Sequence, residues 1–331
     1  MRPLRSRYYL PDPGRSPLRR LALRLTGRPV PAFPRTVQIQ TVTGCNADCT
    51  VCAYGPTAPR QPRGRMPEEL FRALVDECSS HRVRRISPYL MNEPLLDPDL
   101  PERIGYIKTR SPRSKVVITT NGSLLGAGVV DRLLALEPGL DALYVSFQGI
   151  DPEVYRRTMR GAMRMSVTLE NVDRLILRQR ERRRRRPEIR ITMVRTGRLD
   201  WKRALRYWRR RGVRCQVTAL ENLGGNRPDS SLHPAGVLEP NTTCRRLFRQ
   251  AYILFNGDMV LCCADWRRQV ILGNVAERSI REVWNGERAL GIRRAYLEGR
   301  FSDLILCRDC RIDRVHPLTF PGTGGRGARP G

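Results

Sequence analysis

Gly44-Cys45-Asn46-Ala47-Asp48-Cys49-Thr50-Val51-Cys52 is the stretch that decides how this chain is understood. Its cysteines are spaced C-x3-C-x2-C and follow directly on a strand-like run. Three thiolates on one tight loop are one fewer than a closed site takes. Structural zinc uses four protein ligands, and an ordinary [4Fe–4S] cluster uses four cysteines. A cubane held by three would keep one iron free to bind a small molecule. Gly44 and Asn46 tolerate the backbone angles that such a wrap requires. The spacing alone also fits an incomplete zinc knuckle, so the surrounding residues have to decide.

Strand-like runs near residues 36–42, 84–91, 115–120, 142–147, 189–195 and 213–220 alternate with helical patterns. Those patterns fall near 67–80, 99–110, 124–136, 151–159, 166–183 and 199–211. Repeated β-then-α units predict a parallel sheet with right-handed crossovers, curled into an open barrel. The cysteine loop follows the first strand, Glu93 the second and Asn121 the third. All sit at carboxyl ends, where α/β proteins carry their sites. Beyond residue 225 the rhythm changes. Ala251 to Cys263 reads as a hairpin turned at Asn256-Gly257. Ser279-Ile280-Arg281-Glu282 reads as a capping box opening a helix that runs to about Arg300. Residues 1–34 form an Arg- and Pro-rich extension in which Pro17 to Leu25 can make a short basic amphipathic helix. The tail at 317–331 is too poor in apolar residues to fold alone. The predicted division is 1–34, 35–225, 226–316 and 317–331.

With 331 residues and 40% hydrophobic content, the chain can build one large domain and a small one. No stretch approaches 18 uninterrupted apolar residues, so no membrane span is expected. Arg19, Arg20 and Arg24 break any apolar run near the N-terminus, which argues against a secretory signal. Ten cysteines in close groups point to metal ligation, not a disulfide framework, and hence to a reducing, cytoplasmic setting. The net charge of +29 would ordinarily suggest nucleic acid. Lysine, however, occurs only at 108, 115 and 202, a skew explained more simply by a GC-rich coding sequence. The densest run, Arg182 to Arg186, reads as a solvated helix terminus where cations suit the macrodipole. An acidic partner or anionic substrate stays open.

The flanking residues give the cysteine loop its meaning. It resembles the cluster-binding loop of the radical S-adenosylmethionine (radical SAM) superfamily, and further matches follow in order. Ile86-Ser87-Pro88-Tyr89-Leu90-Met91-Asn92-Glu93-Pro94 resembles the family's Gly-Gly-Glu-Pro segment, with Met91 and Asn92 in place of the glycines. The resemblance implies that Glu93 meets the methionyl amino group. Val116-Val117-Ile118-Thr119-Thr120-Asn121-Gly122 resembles the Thr-Asn-Gly end of the third strand. Leu143 to Gly149, with Asp151, Tyr155 and Met159-Arg160-Gly161, resembles the fourth strand and its helix. Ser146 and Arg160 are thereby implied at the cofactor's carboxylate and ribose. Val51 stands where the family usually has an aromatic residue.

Cys244, Cys262, Cys307 and Cys310, at intervals of 18, 45 and 3, resemble the shortened SPASM or "twitch" domain of an aminocyclitol dehydrogenase. A four-cysteine zinc site fits the same residues. Over residues 36–315 the resemblance implies a partial (β/α)6 TIM-like barrel with a small C-terminal α+β twitch domain. It implies two [4Fe–4S] clusters, one on Cys45, Cys49 and Cys52 and an auxiliary one on the later four. S-adenosylmethionine is the implied cofactor, cleaved to a 5′-deoxyadenosyl radical with electrons from a donor such as flavodoxin or ferredoxin. The leading reaction is oxidation of a small polar metabolite or a peptide. Redox-neutral epimerisation and peptide crosslinking are the runners-up, and an arginine-rich RNA-binding protein with structural zinc sites is the alternative of another class. Cys263 is expected on the face opposite Cys262 as a packed thiol, and Cys78 and Cys215 in the core. His81, His233 and His316 lack a metal-like arrangement. Arg227, beyond the sixth strand, is the candidate substrate residue.

Overall fold

The computed structural model describes residues 31–227, 231–232, 238–242, 244–312 and 318–320. Pro17 to Leu25, His233 and His316 lie outside the described residues. Six strands, β1 (Thr36–Ile39), β2 (Arg85–Ser87), β3 (Lys115–Thr120), β4 (Ala142–Ser146), β5 (Glu188–Val194) and β6 (Arg214–Thr218), pair in sequence order and all in parallel. Helices such as Glu68–Ser80, Leu100–Arg110 and Met165–Glu181 cross between them. Their apolar faces (Phe71, Leu74, Val75 and Cys78 on the first) cover strand residues Val37, Ile86, Ile118 and Leu143 in one core. Cys215 is buried there too. This is the expected partial TIM barrel with its carboxyl ends gathered on one rim.

The C-terminal part continues the same sheet. After β7 (Glu239–Pro240) come β8 (Gln250–Ile253), β9 (Asp258–Val260) and β10 (Ile271–Asn274). β8 pairs in parallel with β1, and β9 and β10 follow antiparallel, so the hairpin at Asn256-Gly257 extends the barrel wall. β11 (Arg311–Ile312) pairs with β7. β12 (Leu318–Phe320) adds an antiparallel strand beside β6, where a ready edge supplies the hydrogen bonds that a short segment lacks alone.

Two elements differ from expectation. The second strand stops at Ser87 because Pro88 has no N–H to give the ladder. The helix expected from Ser279 to about Arg300 is two, Ile280–Trp284 and Glu287–Leu297, broken at Asn285-Gly286. Buried Arg293 fills the break, donating from Nη1 to the Trp284 carbonyl at 2.6 Å and from Nε to the Leu247 carbonyl at 3.1 Å. The arginine run is the mostly exposed end of the helix Met165–Glu181, as expected, with Arg182 paired to Asp131, Arg184 to Glu137 and Arg186 to Asp141. His81 stacks on Phe33 at 4.1 Å between ring centroids.

Candidate active site and cluster centre

The loop after β1 is shaped by its own backbone. Gly44 takes a φ of +102°, which an L side chain rarely adopts. Two cysteine sulfurs accept backbone N–H groups within the loop, Cys45 from Ala47 at 3.4 Å and Cys52 from Tyr54 at 3.4 Å. The segment after the fourth strand clamps the loop from outside. Asp48 N–H donates to the Arg160 carbonyl and Thr50 N–H to the Thr158 carbonyl, both at 2.9 Å. Gly161 lies so close that a Cβ there would meet the Asn46 carbonyl oxygen at 2.9 Å.

Glu93 is the buried hub. Its N–H donates to the Gly44 carbonyl at 2.9 Å, tying the second strand's exit to the cysteine loop. Its carboxylate accepts from Thr120 Oγ1 at 2.6 Å, Asn121 N at 2.8 Å and Leu95 N at 3.1 Å. Burial pushes this carboxyl up, and the three hydrogen bonds oppose that shift. An ionised carboxylate accepts about four hydrogen bonds, so one lone pair remains for a cation. Asn121 reaches the loop directly, donating from Nδ2 to Asn46 Oδ1 at 2.7 Å and to Cys45 Sγ at 3.9 Å. Ser146, at the end of β4, accepts from Gln148 Nε2 at 3.3 Å.

Two sequence candidates serve other contacts. Arg160 is exposed, paired with Asp48 at 3.0 Å and donating to the Asp48 carbonyl at 3.1 Å, so it braces the loop. Arg227 is only 4% exposed and donates from Nη1 to the Thr50 carbonyl at 3.2 Å. It favours the Cys52 thiolate electrostatically and backs the loop instead of standing open to substrate. Thr120, which sequence reasoning passed over, completes the Glu93–Asn121 network, its adjacency to Asn121 being the available signal. Asn46, expected for its backbone freedom, joins through its side chain instead and has no positive φ.

Burial pushes Cys45 up to about 12, Cys52 up to about 11 and Cys49 upward as well. Neighbouring negative charges add to the rise at Cys45 and Cys49. Such thiols prefer their protons, and iron cations are what make adjacent thiolates tenable.

Cys244, Cys262, Cys307 and Cys310 line one mostly apolar cavity with Asn241, Arg246 and Tyr296. Burial raises Cys244, and pushes Cys307 up to about 12 and Cys310 up to about 11. Among the described residues, no three His, Cys, Asp or Glu side chains converge tightly enough for a single metal ion. Four thiols around one cavity are the number that a closed [4Fe–4S] cluster takes.

Cys263 faces away from Cys262, as expected of a packed thiol: Cys262 lines the auxiliary cavity with Cys244 and Cys307, and Cys263 does not. β9 ends at Val260, yet the two neighbouring side chains still enter different apolar groups. The adjacent thiols hold Cys262 up and Cys263 down, with the Arg246 guanidinium favouring thiolate at both. Cys263 also packs against the apolar group that receives Cys52 and Tyr54.

The family model of the radical SAM superfamily matches residues 39–220, from β1 through the sixth strand. The chain belongs to the radical SAM superfamily. It is an enzyme whose cofactors are S-adenosylmethionine and iron–sulfur clusters. The model of the SPASM family, an iron–sulfur cluster-binding domain, matches residues 244–311 and so takes in all four later cysteines. The chain is 22% identical over 278 residues to the S-adenosyl-L-methionine-dependent 2-deoxy-scyllo-inosamine dehydrogenase of Niallia circulans, covering 83% of this chain and 91% of that protein. It is 32% identical to the AdoMet-dependent heme synthase of Methanosarcina barkeri, over 39% of this chain and 36% of that one. Among solved structures, BtrN in complex with AdoMet and 2-DOIA superposes with a TM-score of 0.58 at 19% identity, covering 84% of this chain and 93% of BtrN. Streptococcus suis SuiB bound to precursor peptide SuiA gives 0.64 at 16% identity, over 83% and 70%. These likenesses show a radical SAM barrel with a C-terminal SPASM domain. No described helix is long and apolar enough to cross a membrane.

Proposed function

We propose that this radical SAM enzyme dehydrogenates a small polar metabolite of the aminocyclitol or sugar class. When bound, the reduced cluster and S-adenosylmethionine supply a 5′-deoxyadenosyl radical that takes a hydrogen atom from substrate. Cys45, Cys49 and Cys52 would hold the catalytic [4Fe–4S] cluster. Glu93 would accept the cofactor's ammonium on its remaining lone pair, a charge-assisted contact. Asn121 fixes Cys45 and Asn46, Ser146 offers a hydroxyl at the barrel rim, and Arg160 steadies the loop through Asp48. Cys244, Cys262, Cys307 and Cys310 would hold a closed auxiliary [4Fe–4S] cluster.

The observation that carries the oxidative reading is that second, four-cysteine cavity, whose four thiolates would leave no position for substrate on iron. Such a site suits electron uptake. The relative named as a dehydrogenase over most of this chain supports the same reading. All ten cysteines are free thiols, which suits a cytoplasmic setting and a flavodoxin or ferredoxin as electron donor.

The contact of Cys263 with the apolar group around Cys52 favours a second reading, in which its thiol returns a hydrogen atom to substrate and the enzyme epimerises. One experiment separates the two. The enzyme is incubated in heavy water with 2-deoxy-scyllo-inosamine and related aminocyclitols and sugars, and products are analysed by mass spectrometry. Dehydrogenation predicts one 5′-deoxyadenosine per product, a product two hydrogens poorer, and no deuterium at the oxidised carbon. Deuterium at the reacting carbon, lost in Cys263→Ala while hydrogen abstraction persists, would replace the dehydrogenase with an epimerase.

A further inference from the structure

The auxiliary cavity contains one formally charged lining side chain besides its cysteines among the described residues, and it is Arg246. The rest of the lining is Gly224, Ala264, Asn241, Tyr296 and leucines. A charge facing such an apolar space is screened far less than one in water. Arg246 opens the turn Arg246–Phe248, two residues after Cys244, so the chain that supplies a ligand also supplies the cation.

Its guanidinium is held in a fork. Nη1 donates to Glu221 Oε2 at 2.8 Å and Nη2 to Glu221 Oε1 at 2.6 Å. Glu221 is itself fixed behind the cavity: its backbone bridges to Ile312 in antiparallel fashion, two residues beyond Cys310. The next residue, Asn222, donates to the Asp309 carbonyl at 2.7 Å and accepts from Arg311 N at 2.7 Å. The exit of the sixth strand, the last cysteine pair and the segment after Cys244 thus converge on one ion pair. Its positive end lines the cavity, and its negative end does not.

We propose that the Glu221–Arg246 pair sets the reduction potential of the auxiliary cluster, Arg246 by presenting a fixed positive charge and Glu221 by holding and partly offsetting it. The proposal rests on the reading that the four later cysteines carry that cluster. Taking up one electron makes a thiolate-bound cluster more negative by one charge. A nearby cation therefore stabilises the reduced form and raises the potential, while a nearby anion lowers it. Both residues act as positioning residues; neither touches the reacting atoms.

The test uses the full chain carrying Cys45→Ala, Cys49→Ala and Cys52→Ala, reconstituted anaerobically so that only the auxiliary cluster remains. Iron and sulfide are counted, and the cluster is titrated redox-potentiometrically with EPR detection. The background should hold about four iron and four sulfide per chain. Arg246→Gln should favour the oxidised form by about tenfold, a fall of ~59 mV for a one-electron couple. Glu221→Gln should move the potential up, and Arg246→Lys should leave it nearly in place. Loss of packing gives no reason for opposite signs in the two neutralising variants. Full iron with unmoved potentials, or shifts of the same sign, would overturn the proposal and leave the cluster assignment standing. A background without four iron would overturn both. If Arg246→Gln sheds its iron, Glu221→Gln and Arg246→Lys decide, and an unchanged potential in Glu221→Gln refutes the role.

Discussion

Glu93 is asked to stay charged in a place that disfavours charge. Burial raises its carboxyl, and three donors from two different strand ends keep it ready for a cation. Glu93→Gln removes the charge while keeping the shape, so S-adenosylmethionine should bind roughly tenfold or more weakly, a hydrogen bond to a charged group being worth about 1.5–3 kcal/mol. Equilibrium dialysis against the reconstituted protein checks this, with iron content unchanged as the control. Gly161→Ala should act on the loop: a Cβ at φ +83° and 2.9 Å from the Asn46 carbonyl must push the cysteine loop aside. Less iron retained after reconstitution, with the auxiliary cluster kept, is the expected outcome. The cysteines, Glu93 and Asn121 were legible because each stands in a short motif at a strand end. The contacts of Arg160 and Arg227 were not, since their partners lie 112 and 177 positions away. Choosing among many arginines needs the fold.

At the scale of elements, local chemistry was the reliable guide. The capping box at Ser279 and Glu282 forms with both reciprocal bonds, and the hairpin turns where Asn256-Gly257 said it would. The interruptions were hidden because their causes are tertiary. The helix break at Gly286 is held by Arg293 reaching back across a turn. The helix Ile280–Trp284 also receives a cap that no local pattern announces: Glu77, on the barrel helix Glu68–Ser80, accepts from Ile280 N at 2.8 Å and Arg281 N at 2.9 Å. A carboxylate at a helix N-terminus satisfies orphan donors and suits the dipole. Glu77→Ala should cost about 1 kcal/mol, as lost caps do, and lower the denaturant midpoint of the C-terminal part without changing iron content in the folded protein.

At the scale of the molecule, the sheet is continuous. β8 pairs with β1 along four residues, so the strand that launches the cysteine loop is flanked on one side by the domain that carries the later cysteines. The alternating β and α pattern made the barrel legible, but the register of that parallel junction depends on segments some two hundred residues apart and left no local trace. Truncating the chain after residue 225 should therefore expose the β1 edge and give aggregated protein by light scattering, because unpaired edges recruit other chains. The central claim is that three cysteines and four cysteines hold two separate clusters, the first of which cleaves S-adenosylmethionine. It is tested most directly by anaerobic reconstitution of the wild type beside the Cys45→Ala, Cys49→Ala, Cys52→Ala variant, with iron, sulfide and 5′-deoxyadenosine measured together. The wild type should approach about eight iron and eight sulfide and form 5′-deoxyadenosine under reducing conditions, and the variant should keep about half the iron and form none. A variant that still forms 5′-deoxyadenosine, or a wild type that binds zinc without sulfide, would contradict the account.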